Sequence, residues 1–74
     1  MDPFTQKRLM KFVVEHRAKT GELPMLTDFE KGGFAREQVK RAEKLGLIEE
    51  FYVTLTSGTI RKGYKLVQKG GPVG

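Results

Sequence analysis

Cysteine is missing from this 74-residue chain, so neither a disulfide nor a thiolate metal site can form. Histidine occurs once, at position 16, too few for an imidazole zinc site. No metal and no cofactor is expected. Apolar runs stop at three residues, as in Phe12-Val13-Val14, far below the roughly 20 needed for a membrane-spanning helix. No apolar stretch near the N-terminus resembles a secretory signal, and the lack of cysteine fits a reducing compartment. A cytoplasmic protein with no membrane partner is the expectation. Catalytic patterns are also missing: there is no Gly-rich loop followed by Lys and no nucleophile–histidine arrangement. No enzyme is expected.

Acidic residues are absent after Glu50. The net charge is +5, and its distribution matters more than its total. Residues 36–44 hold Arg36, Lys40, Arg41 and Lys44 against Glu37 and Glu43. Residues 51–74 hold Arg61, Lys62, Lys65 and Lys69 with no acid. Positive charge gathered in the C-terminal half suggests a polyanionic partner; the plain alternative is a solubilising surface.

What remains is enough for one small domain, residues 1–67, with a Gly-rich tail over 68–74. Asp2-Pro3 suits a helix start, and Leu9, Phe12, Val13 and His16 recur on one helical face. A first helix is predicted over 3–20, closed by Gly21. His16 on that apolar face is read as a packed side chain, not a ligand. Met10 and Val14 widen the stripe and are read as completing the core, with a dimer seam as the alternative. A short strand fits 22–26. Thr27 and Glu30 have capping-box spacing, which predicts a short second helix over 27–32. Gly32-Gly33 is read as the turn that ends it. The third helix is predicted over 34–45, with Ala35, Val39, Ala42 and Leu45 inward and the basic residues outward. After Gly46 the pattern alternates, predicting a hairpin over 48–67. A two-residue turn at Ser57-Gly58 would pair Phe51 with Tyr64; a bulge or a longer tip near Lys62-Gly63 is the other way to set the register. The expected core is Leu9, Phe12, Val13, Phe29, Val39, Ala42, Leu45, Ile48 and Leu66.

Residues 35–48, AREQVKRAEKLGLI, followed by Gly63-Tyr64-Lys65-Leu66, resemble the winged helix-turn-helix family. Leu45-Gly46-Leu47-Ile48 is similar to the family's passage from recognition helix to wing, and the element order matches over roughly residues 4–67. The Gly-Gly turn departs from the family's usual Gly, aliphatic, Ser/Thr sequence, which moves the start of the third helix later and shifts its base-facing positions. The resemblance implies an α+β winged helix, with three helices followed by a β-hairpin wing, that binds double-stranded DNA as a small transcriptional regulator.

A helix about 10–12 Å across fits a major groove about 12 Å wide. Arg36, Glu37, Gln38, Lys40, Arg41 and Lys44 are the candidate contacts on the helix, and Arg61 and Lys62 those on the wing. Tyr52 and Tyr64 could meet sugar or phosphate, or pack within the sheet. Two alternatives stand beside this: a replication or recombination factor using the same module, and a protein–protein adaptor meeting an acidic partner. A homodimer is open. Double-stranded RNA is disfavoured, because its narrow major groove excludes a helix.

Overall fold

The computed structural model describes residues 1–67. The expected tail over 68–74 lies outside the described residues. Three helices, α1 (Pro3–Thr20), α2 (Leu26–Lys31) and α3 (Arg36–Lys44), precede two antiparallel strands, β1 (Ile48–Thr54) and β2 (Ile60–Leu66). The result is a small α+β domain.

Helix α1 begins as its sequence dictates. Pro3 occupies the first turn, and the Thr5 N–H donates to Asp2 Oδ1 (2.6 Å). That bond holds the Asp2 carboxyl below its ordinary pKa range. Leu9 and Val13 are buried, whereas Phe12 and Met10 are half-buried and Val14 is exposed, so the expected stripe is narrower than its apolar residues suggest.

Helix α2 starts one residue early, and Thr27 does not cap it. Asp28 does the work from inside the first turn, where its Oδ2 accepts the Met25 N–H (2.8 Å). The two glycines that follow have different tasks. Gly33 takes φ +98°, which lets its own N–H reach Glu30 O and the Phe34 N–H reach Phe29 O. Gly32 has ordinary φ; a Cβ there would lie 2.6 Å from Phe12 Cε1. The first glycine makes room for a ring and only the second makes the turn.

Phe34 is claimed by that turn and is buried, so α3 starts at Arg36, not at Phe34. Ala35, expected inward, is the exposed N-cap residue, and its N–H donates to Gln38 Oε1 (2.9 Å). The exit repeats the α2 pattern, with the Leu47 N–H on Ala42 O and the Gly46 N–H on Glu43 O. Leu45, expected in the core, is 49% exposed. Each three-residue step rotates the helical position by about 60°, so Val39 and Ala42 face the core and Leu45 has turned past it.

The hairpin register differs by one residue from the two-residue turn. Phe51 pairs with Gly63, Ile48 with Leu66, and Thr54 with Ile60. The Gly58 N–H donates to Leu55 O and the Leu55 N–H to Thr59 O, which closes a three-residue loop with Gly58 at φ +90°. A three-residue tip over 56–58, and neither a bulge nor a longer tip near Lys62-Gly63, sets the register. Glu49 consequently faces Lys65.

Leu9, Val13, Phe29, Phe34, Val39, Ala42, Ile48 and Tyr64 form one buried cluster. Phe29 is its centre: its ring centroid lies 5.0 Å from Phe12, 6.0 Å from Phe34 and 5.7 Å from Tyr64. Leu66 is only half-buried at its edge. No strand forms over 22–26. Pro24 O instead accepts the Tyr64 N–H (2.9 Å), and Gly63 lets Leu23 lie against β2, since a Cβ at 63 would be 2.7 Å from Leu23 Cβ. The hairpin is thereby tied to the connector between α1 and α2.

Candidate functional site

The core fixes the orientation of α3. With Val39 and Ala42 buried, Arg36, Glu37, Lys40, Arg41 and Lys44 fall on the exposed arc. Among the described residues, Arg36, Lys40, Arg41 and Lys44 form no ion pair. Glu37 sits within this basic arc. Gln38 is half-buried, and its Oε1 is occupied by the Ala35 N–H, so it supports the start of the helix. On one flank, Arg41, Glu37 and Gln38 border a shallow cleft shared with Met1, Asp2 and Thr5 of the α1 end. On the other flank stands the hairpin, where Glu50 is held below its ordinary pKa chiefly by its hydrogen bond from Lys62 and in smaller part by the charge of Lys40.

The hairpin treats its cations differently. Neighbouring strand residues point to opposite faces, so Arg61 and Lys62 cannot share one surface. Arg61 turns towards the connector. Its guanidinium pairs with Glu22, donates to Leu23 O (3.2 Å) and lies 3.9 Å from Asp28 Oδ2. Its side chain is only 21% exposed. Arg61, a candidate contact from the sequence, is thus engaged by the connector and does not share a face with Lys62. Lys62 lies on the face nearer α3, where its Nζ is 3.2 Å from Glu50 Oε2. This bond pulls the Glu50 pKa down and pushes that of Lys62 up. Lys65 pairs with Glu49 (3.8 Å) and sits 4.5 Å from the centre of the Phe51 ring.

Both tyrosines were open in the sequence, and they part company. Tyr64 is buried in the core, which raises its pKa by desolvation. Tyr52 is exposed, with its hydroxyl donating to Glu50 Oε1 (3.3 Å). His16 is half-buried beside Phe12 (centroids 5.8 Å), with Nε2 3.7 Å from Asp28 Oδ2. Arg8 of α1 lies over the Phe34 ring at 4.8 Å, a contact that sequence spacing did not suggest.

The apolar surface was also not anticipated. Phe51, Tyr52, Val53, Leu55 and Ile60 are all exposed. A cleft of about 460 Å³ lies between this hairpin and the connector, floored by Leu23, Phe51, Val53 and Leu55. The alternation that named these residues as strand said nothing about whether anything covers them.

Among the described residues no cluster of three metal-ligating side chains occurs, and no helix is long and apolar enough to cross a membrane. No protein-family model, no curated protein and no solved structure matches the chain.

Proposed function

We propose that the chain is a winged-helix module that binds double-stranded DNA through α3, in the manner of a small transcriptional regulator. One observation carries this reading: four cations stand on the exposed arc of one short helix, and among the described residues none of them has a carboxylate partner. Such a helix is of a size to enter the major groove. Lys40 and Lys44 suit phosphates as point charges, whereas Arg36 and Arg41 can take guanine O6 and N7 with both arms of the fork. Glu37, in the middle of the arc, can accept from cytosine N4. Gln38 stays with its cap.

The wing's part is smaller than a count of its cations suggests. Lys62 is the hairpin cation placed to reach a backbone beside α3, and reaching it means exchanging Glu50 for phosphate. Arg61 belongs to the domain's own structure.

The test is a titration of duplex DNA followed by amide shifts, with the duplex chosen by selection from a random pool. The expected result is perturbation along 36–44, smaller changes near Lys62, and a fall of log K against log salt with slope about −2 to −3, as for phosphate contacts from Lys40, Lys44 and Lys62. Shifts confined to α1, or no binding at low salt, would reject the reading in favour of a protein adaptor.

A further inference from the structure

The distal hairpin combines two features that proteins usually keep apart. Residues 51–60 contain no charged side chain, in a chain that is 31% charged, and five large apolar or aromatic residues there are exposed. The same segment includes most of an open strand edge. Among the described residues the sheet has only two strands, and no backbone group takes up the outer side of β1. The Tyr64 N–H leaves β2 towards Pro24, which makes Glu50↔Tyr64 a non-hydrogen-bonded pair. By alternation, the N–H and C=O groups of Ile48, Glu50, Tyr52 and Thr54 point outward from β1. Exposed edges are ordinarily blunted by lysine, proline or a bulge. β1 has none of these; its only charges are Glu49 and Glu50, at the base.

We infer that this edge is a self-association site, where β1 of one chain pairs antiparallel with β1 of a second copy. The charge distribution selects a second copy as the occupant. A twofold contact brings each patch against itself. With a net charge of +5, apposing the basic faces would be repulsive, whereas residues 51–60 meet their own copy without electrostatic cost. The base carboxylates choose the register. Pairing centred near Glu49-Glu50 would oppose like charges, but pairing centred on Tyr52 sets Glu50 opposite Thr54 and Phe51 opposite Val53 of the other copy. All outward groups from Glu50 to Thr54 are then bonded. One face of the resulting four-stranded sheet holds two Phe–Val pairs, and the other holds two tyrosines across the axis. A single strand edge buries less than the roughly 1,600 Å² of a standard interface, so the dimer is weak. The inference does not depend on the DNA reading and is tested without DNA.

The full chain is followed by amide NMR and sedimentation across a wide concentration series. Shifts and slowed exchange at Glu50, Tyr52 and Thr54 are expected, with the mass rising towards two chains. Tyr52→Glu faces Lys62 within its own hairpin but its own charge across the axis, and it should weaken association by about tenfold or more. Tyr52→Lys should do the same, and an equal mixture of the two should associate more tightly than either alone. Thr54→Pro removes an outward N–H without touching the β1–β2 ladder and should also weaken the dimer, provided that the hairpin amides keep their pattern. Concentration-independent spectra, association with shifts away from β1, or a mixture no tighter than its components would overturn the inference.

Discussion

The helix α3 and the hairpin carry similar basic side chains and use them in opposite ways. On α3, four cations face solvent, with no carboxylate partner among the described residues. On the hairpin, Arg61, Lys62 and Lys65 each have one: Glu22, Glu50 and Glu49. A tally along the sequence gives the C-terminal stretch the larger excess. Folding reverses that order, because the carboxylates that meet the hairpin's cations lie at the base of β1 or on the connector and are brought against them by the fold. Charge that can be offered to a partner is the charge left after the chain has satisfied itself.

The two regions share one support, so the largest expected effect removes both. Phe29 touches the rings of Phe12, Phe34 and Tyr64. Phe29→Ala should cost about 3–5 kcal/mol, most of the stability of so small a domain, as read by urea denaturation. A loss under about 1 kcal/mol would mean that α3 and the hairpin do not depend on a common core.

The contrast itself is sharpened by two reversals. Lys44→Glu should weaken DNA binding and flatten the salt slope by about one or more, because a phosphate contact is lost and repulsion is added. Lys65→Glu, the same change on the opposite face of the hairpin, should leave the slope within about half a unit of the parent. Equal losses from both would mean that the pairing within the hairpin does not hold its cations back.

Arg61→Ala should act on stability more than on affinity. A partly exposed guanidinium with two carboxylates and a carbonyl contributes about 1 kcal/mol after solvent screening. Denaturation should show that loss with little change in DNA affinity; the opposite result would return Arg61 to the contact surface.

The smallest effect is with pH. The folded-state pKa of Glu50 is depressed, so its contribution is present above the unfolded value and is lost as pH falls through the folded one. The folded-state pKa of Lys62 is raised, so its contribution is present below the unfolded lysine value and is lost as pH rises through the folded one. The hairpin should therefore loosen slightly below the ordinary glutamate range and again above the ordinary lysine range. The Lys62 amide shift followed against pH reads the first transition; a shift with no acid step would mean that the pair does not form in solution.

The local chemistry of this fold was legible in the sequence, and its long-range choices were not. Asp2-Pro3 and Gly21 bound α1 at both ends because caps act within a few residues. Leu45-Gly46-Leu47 forecast the exit from α3 for the same reason. The α2 start was misassigned because two residues could supply the cap and Thr27 had the commoner spacing, yet Asp28 is the one that reaches Met25. The opposite facing of Arg61 and Lys62 was present in the period of the strand. That Arg61 would be consumed was not, since Glu22 lies 39 residues away and only the tertiary fold joins them. The register hinged on whether Gly58 ended a two-residue or a three-residue loop, and Ser-Gly is compatible with either.

Gly32 and Phe12 leave a mark that should be visible in sequence variation. Position 32 is held to glycine by the size of its neighbour, not by backbone geometry. Related chains that carry a side chain at 32 should therefore carry a smaller residue at 12, and the two positions should change together. Position 33, whose positive φ is independent of any neighbour, should stay glycine or asparagine whatever happens at 12. Two adjacent identical letters would thus drift under unrelated rules, one tied to a partner in α1 and one to its own backbone.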